Sequence, residues 1–185
     1  MNFFKVIVNV TRQMDAEGLR YALIGGFAMA LRGVQRATVD MDFILLLNDL
    51  EKAHEIFIAS GYRRAFNSAN VSHYISDDIE LGRIDILHAF RGPTLSMLER
   101  ADRIEVEPGL SLPVVQIEDI IGLKIQALVN DPSRRTGDWS DIRMILETAF
   151  ENGRQIDWEL VQSYLDVFKL GSELPKLQQW YGQVD

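Results

Sequence analysis

The sequence of 185 residues contains no cysteine, which excludes disulfides and every metal site built on thiolates. A reducing compartment is the natural expectation. Proline is scarce: five prolines and thirteen glycines stand against nine Phe, five Tyr and three Trp, so the composition is neither collagenous, low-complexity nor disordered. The three histidines, His54, His73 and His88, show no ligand spacing, and no role is expected of them. Long apolar runs are absent too. A run such as Phe43 to Leu47 falls far short of the ~20 residues that span a bilayer, so no membrane partner is expected. The N-terminal stretch is broken by Lys5, Asn9 and Arg12 and has no small-residue cleavage site, so it does not read as a signal peptide. A soluble, cytoplasmic protein is expected. Positive charge is in deficit, with 19 Lys and Arg against 27 Asp and Glu and a net charge of -8. A broad basic face for nucleic acid is therefore not expected, although local basic patches are compatible with that charge.

What is present fits one compact globular unit: 47% of residues are hydrophobic and 25% charged. Phe3, Val6, Ile7, Val10 and Met14 recur at helical spacing and predict a helix over Asn2 to Glu17, ended by Gly18. Tyr21 to Ile24 reads as a strand. Gly25-Gly26 then turns the chain into a helix near Phe27 to Leu31. Val39 to Leu47 is strand-like, and Asn48 or Asp49 is placed to cap a helix over Leu50 to Ser60. Tyr62 to Phe66, Ser72 to Ser76 and Arg83 to His88 read as strands. A helix around Thr94 to Arg100 and strands near Ile104 to Val106 and Pro113 to Val115 complete an α/β (α+β) half over residues 1–116. Residues 117–185 read as a helical C-terminal lobe, with helices over Glu118 to Asn130, Gly137 to Phe150 and Asp157 to Phe168 and a weak one after Leu174.

Four features carry chemistry. Gly25-Gly26, between a strand and a helix, lets backbone approach a ligand closely and aims N–H groups at an anion such as a triphosphate. A tight turn that needs glycine is the plainer reading. In Asp40-Met41-Asp42, strand alternation puts both acids on one face, about 7 Å apart at Cα. Their face continues as Ile44 and Leu46, so the carboxylates stand at the end of a core strand, where like charges need a cation or a proton. Asp85, embedded in Arg83-Ile84-Asp85-Ile86-Leu87, is a third acid in an apolar strand. A local hydrogen-bond partner would explain it. Three carboxylates from two neighbouring strands would also suit two Mg²⁺ ions roughly 4 Å apart, with Mn²⁺ an admissible substitute. Finally, Lys124 falls near the centre of the face formed by Ile117, Ile120, Ile121 and Leu128. Its ammonium either snorkels to solvent or a carboxylate, or it reaches a triphosphate or the acid cluster.

These residues resemble a known family. Gly25-Gly26, then Ala28, Gly33, Arg36, Thr38 and Asp40-Met41-Asp42, look like the signature of the DNA polymerase β-like nucleotidyltransferase superfamily, and Arg83 to Leu87 look like its third-carboxylate strand. The pattern is most similar to the abortive-infection (AbiE-type) nucleotidyltransferase toxins, whose later segment Leu112 to Glu147 also resembles. The resemblance implies a nucleotidyltransferase fold, with a mixed β-sheet flanked by helices. It implies that Asp40, Asp42 and Asp85 ligate metal, that Gly25, Gly26, Arg36 and Thr38 serve the nucleotide, and that Lys124 assists at the triphosphate. Asp138 and Asp141 match the family's later acidic pair, which helix-start charge would also explain. Gly137 stands where the family often has Lys, so a basic role there would fall to Arg134 or Arg135. Arg32 stands where His is frequent, and it and Arg36 are either phosphate contacts or surface arginines.

The expected function is Mg²⁺-dependent transfer of a nucleotidyl group from a nucleoside triphosphate to an acceptor hydroxyl. One metal would lower the hydroxyl pKa and the other would hold the triphosphate, with Asp85 helping to remove the proton. The toxin-like resemblance implies an RNA acceptor such as a tRNA end, and a cognate antitoxin as protein partner. The acidic balance favours a small hydroxylated acceptor such as an antibiotic. A non-catalytic nucleotide-binding or interaction module is the third reading, against which the intact acid cluster argues.

Overall fold

The computed structural model describes residues 1–182. The chain divides into two compact units, one formed by Met1–Leu31 with Arg36–Val115, the other by Arg32–Gln35 with the chain from Gln116 onward.

The first unit is built on a seven-stranded mixed sheet. Helical segments α1 (Phe3–Val6) and α2 (Arg12–Ala16) run on through a π-helical turn over Ile7–Thr11, and their apolar stripe of Val6, Ile7, Val10 and Met14 is buried. Strand β1 (Tyr21–Ile24) leads into α3 (Gly25–Leu31), followed by β2 (Asp40–Leu46), a 3₁₀ turn and α4 (Leu50–Ala59). Then come β3 (Arg63–Asn67), β4 (Val71–Ile75), β5 (Arg83–Ala89), α5 (Gly92–Arg100), β6 (Asp102–Glu107) and β7 (Leu110–Val114). The sheet order is β3-β4-β5-β2-β1-β7-β6. β2 pairs in parallel with β5 and antiparallel with β1, and β4 is antiparallel to both β3 and β5.

Alternation along these strands separates two faces. Met41, Phe43, Tyr74, Ile84 and Ile86 are buried, and Phe57 of α4 packs on Tyr74 at a ring separation of 4.6 Å. The opposite face carries Asp40, Asp42, His73 and Asp85, all half-buried. One expectation changes at α4. Neither Asn48 nor Asp49 caps it, because the Asp49 carboxylate instead accepts the Arg20 backbone N–H at 2.9 Å.

The second unit contains α6 (Ile117–Asn130), a 3₁₀ turn over Pro132–Arg134, α7 (Arg135–Glu151), α8 (Trp158–Val167), a further 3₁₀ turn and α9 (Leu174–Gly182). α6 packs against α7 and α8, and α7 against α9. Packing of α6 on α8 is close at Gly122, where a β-carbon would lie 2.7 Å from the Tyr164 ring. Asp157 caps α8 by accepting the Leu160 N–H at 3.0 Å.

Candidate active site

The parallel register of β2 and β5 sets Asp42 beside Asp85 and Asp40 beside Arg83. Alternation puts all four side chains on the half-open face. One carboxylate oxygen from each of Asp40, Asp42 and Asp85 lies within 4.8 Å of the others. The expected convergence of three acids is therefore present in the fold.

Each acid is held by its neighbours. Thr38 Oγ1 donates to Asp40 Oδ1 at 3.0 Å and to the Asp40 carbonyl at 3.2 Å. Gly25 has φ +66°, and a β-carbon on it would coincide with the Asp42 carboxylate. Gly26 would set a β-carbon 2.9 Å from Arg36 Nη1 and from Thr38 Oγ1. The two glycines are thus required by the protein's own Asp42, Thr38 and Arg36, whatever ligand they also admit.

Asp85 has two partners. Arg83 Nε donates to Asp85 Oδ1 at 2.6 Å, and His73 Nδ1 lies 2.7 Å from the same oxygen. Arg83 Nη2 also approaches His73 Nδ1 at 3.2 Å, but that nitrogen cannot both give and receive one hydrogen. A carboxylate accepts, so we read Nδ1–H as donating to Asp85. The hydrogen bond to Asp85, together with the charges of Asp40 and Asp42, holds the Arg83 guanidinium protonated above its ordinary range. His73 was expected to have no role, because histidine spacing along the chain says nothing about a cross-strand neighbour. The signal available was its place in a strand adjacent to that of Asp85.

The donor set fits a hard divalent cation. It is all oxygen, and three carboxylates crowd one small volume. Such a set suits Mg²⁺ or Mn²⁺.

Lys124, Asp138 and Asp141 meet in the second unit. Lys124 Nζ donates to Asp138 Oδ1 at 2.9 Å and to Asp141 Oδ2 at 2.5 Å, and all three side chains are buried. Arg134 Nε adds a bond to Asp138 Oδ2 at 3.1 Å. Of the two readings of the Lys124 ammonium, the structure shows the carboxylate contact. Arg36 lies in the first unit beside Gly26, and Arg32 belongs to the short segment grouped with the second.

No protein-family model matches the chain, and no curated protein matches it in sequence. Solved structures do match. ANT(2″)-Ia in complex with adenylyl-2″-tobramycin is similar at 16% identity and a TM-score of 0.66, over 91% of this chain and 98% of that one. An antigenic nucleotidyltransferase-like protein from Paracoccidioides brasiliensis is similar at 17% identity and a TM-score of 0.57, over 95% of this chain and 89% of that one. The lincomycin-bound lincosamide antibiotic adenylyltransferase LnuA is similar at 12% identity and a TM-score of 0.50, over 63% of this chain and 82% of that one. At these identities it is the architecture that is shared, and the chain has the nucleotidyltransferase fold.

Proposed function

We propose that the protein is a divalent-metal-dependent nucleotidyltransferase that moves a nucleotidyl group from a nucleoside triphosphate to an acceptor hydroxyl. One observation carries this reading: carboxylate oxygens of Asp40, Asp42 and Asp85 within 4.8 Å of one another, beside the left-handed Gly25. Bound Mg²⁺ would supply charge for the triphosphate and the departing pyrophosphate, and would lower the pKa of the acceptor hydroxyl. Asp40, oriented by Thr38, and Asp42, seated over Gly25, would hold it together with Asp85. In the transfer, the acceptor oxygen bonds to the α-phosphorus, the bond to the bridging oxygen breaks, and pyrophosphate leaves. The hydroxyl proton passes to Asp85, whose orientation Arg83 and His73 fix, and from there to solvent.

The Gly25-Gly26 turn, Arg36 and Thr38 are assigned to the nucleotide, with Arg32 as an outlying contact. The resemblance gives Lys124 a part at the triphosphate, while its ammonium is bonded to Asp138 and Asp141. A raised KM for the nucleotide in Lys124→Arg, with an unchanged KM for the acceptor, is the expected result.

RNA, such as a tRNA end, is the acceptor we propose, with a cognate antitoxin as partner, in line with the abortive-infection resemblance. The net charge of -8 favours a second reading, a small hydroxylated antibiotic. Incubation with each α-labelled triphosphate, Mg²⁺ and either total RNA or a panel of aminoglycosides and lincosamides tests both. Label on RNA supports the first and label on a drug the second. Label on neither, in wild type, would sink the enzyme reading.

A further inference from the structure

Strand β3 is exposed at all five positions, and among them is Phe66, a residue 50% exposed. Strict alternation would put Phe66 on the face of Arg64, which opposes the buried Tyr74. The structure does otherwise. Pairing runs Arg64 to Tyr74 and then Phe66 to His73, leaving Ala65 as an extra residue, a β-bulge. Bulges re-aim side chains and often lie beside active sites. This one turns Phe66 onto the face of the acids, where it stacks on His73 with ring centroids 5.3 Å apart and planes 27° from parallel.

The register then continues without a break. Phe66 opposes His73, His73 opposes Asp85, and Asp85 lies beside Asp42. One cross-strand row thus leads from the acid cluster to the open edge of the sheet. With strands ~4.8 Å apart, Phe66 stands two strands, or ~10 Å, from Asp85. A parallel row holds Asp40, Arg83, Ile75 and the exposed Arg63. Two guanidinium groups therefore flank the aromatic path in a protein whose net charge is -8.

We infer that Phe66, backed by His73, is a stacking platform for a base of a single-stranded polynucleotide acceptor whose terminal hydroxyl lies at Asp85; this rests on the transfer reading above. An aromatic face interleaved with arginines is how single strands are held, through base stacking and phosphate attraction. A polycationic aminosugar has no planar π face to stack on Phe66. The bulge explains why the aromatic stays outside the core, and the register explains why it points toward the acids.

The test is binding without turnover. Fluorescence anisotropy of a fluorescein-labelled single-stranded oligoadenylate of about eight nucleotides, as RNA and as DNA, is measured with the full chain and no triphosphate. Wild type and Phe66→Trp should bind alike, and Phe66→Leu should bind roughly 5- to 100-fold more weakly. A matching duplex should bind poorly. Stabilisation by ATP with Mg²⁺, read as a melting-temperature shift, should be the same in all three proteins. The platform is overturned if Phe66→Leu binds as tightly as wild type, if duplex binds equally well, or if an aminosugar binds and the single strand does not. Phe66-dependent binding without label transfer would keep the platform and remove the transfer reading. Transfer to RNA with an unchanged KM in Phe66→Leu would do the reverse.

Discussion

Gly25 and Asp42 occupy one volume: the carboxylate fills the space a β-carbon would take. Gly25→Ala should therefore displace Asp42 as well as strain a backbone at φ +66°. Loss of both melting temperature and divalent-cation binding is expected. Asp42→Asn acts differently, because it relieves repulsion among the three acids. It should abolish transfer while the metal-free protein melts no lower than wild type, and near-normal turnover would remove Asp42 from the site. Lys124 shows what one residue in a sequence conceals. Its place among Ile117, Ile120, Ile121 and Leu128 makes a methionine look cheap. In the structure Lys124 is the counter-ion of two buried acids. Lys124→Met should cost about 3–5 kcal/mol in urea unfolding, and joint Asp138→Asn and Asp141→Asn substitution should recover most of it. Asp40, Asp42 and Asp85 were legible because period-two alternation survives into the fold. The partners of Lys124 were not, since they lie 14 and 17 residues away on another helix.

Strands β4 and β5 share a buried histidine. His88 Nδ1–H donates to the Ala69 carbonyl at 3.2 Å, and Nε2 accepts from Ser72 Oγ at 3.0 Å. Burial pushes its pKa below the ordinary 6.5. Below about 6.5 the unfolded chain takes up a proton that the folded one refuses, so the stability His88 provides is complete above that pH. It is lost as pH falls toward the folded value. Unfolding free energy measured from pH 8 to 5 should decline less in His88→Asn than in wild type, and equal slopes would exclude this role. Most elements could be placed from the sequence, because the apolar periods at Phe3 to Met14 and Tyr21 to Ile24 match what the core accepts. The bulge at Ala65 could not, since Arg-Arg-Ala-Phe has no glycine or other mark of irregularity. The open edges are guarded in two ways. β3 has two arginines and a bulge, and β6 carries Asp102, Arg103, Glu105 and Glu107.

At the scale of the whole molecule, an acid cluster in a chain of net charge -8 makes stability responsive to dications. Mg²⁺ or Mn²⁺ should raise the melting temperature of wild type by mass action, and should fail to do so in Asp40→Asn or Asp42→Asn. An equal shift in all three would mean nonspecific screening. Among the described residues no helix is long and apolar enough to cross a membrane. The sheet itself is unevenly sewn. β2 and β5 match over seven residue pairs, whereas the parallel register of β1 with β7 is set at Leu23 and Val114, beside which the Val115 N–H donates to the Leu23 carbonyl at 3.2 Å. The shorter register lets the β6–β7 hairpin detach while the five strands beyond it stay paired. In deuterated water, amides of Ile104 and Leu112 should exchange by a partial opening, at a smaller free energy than those of Phe43 and Ile86, whose protons are released only when the whole first unit unfolds.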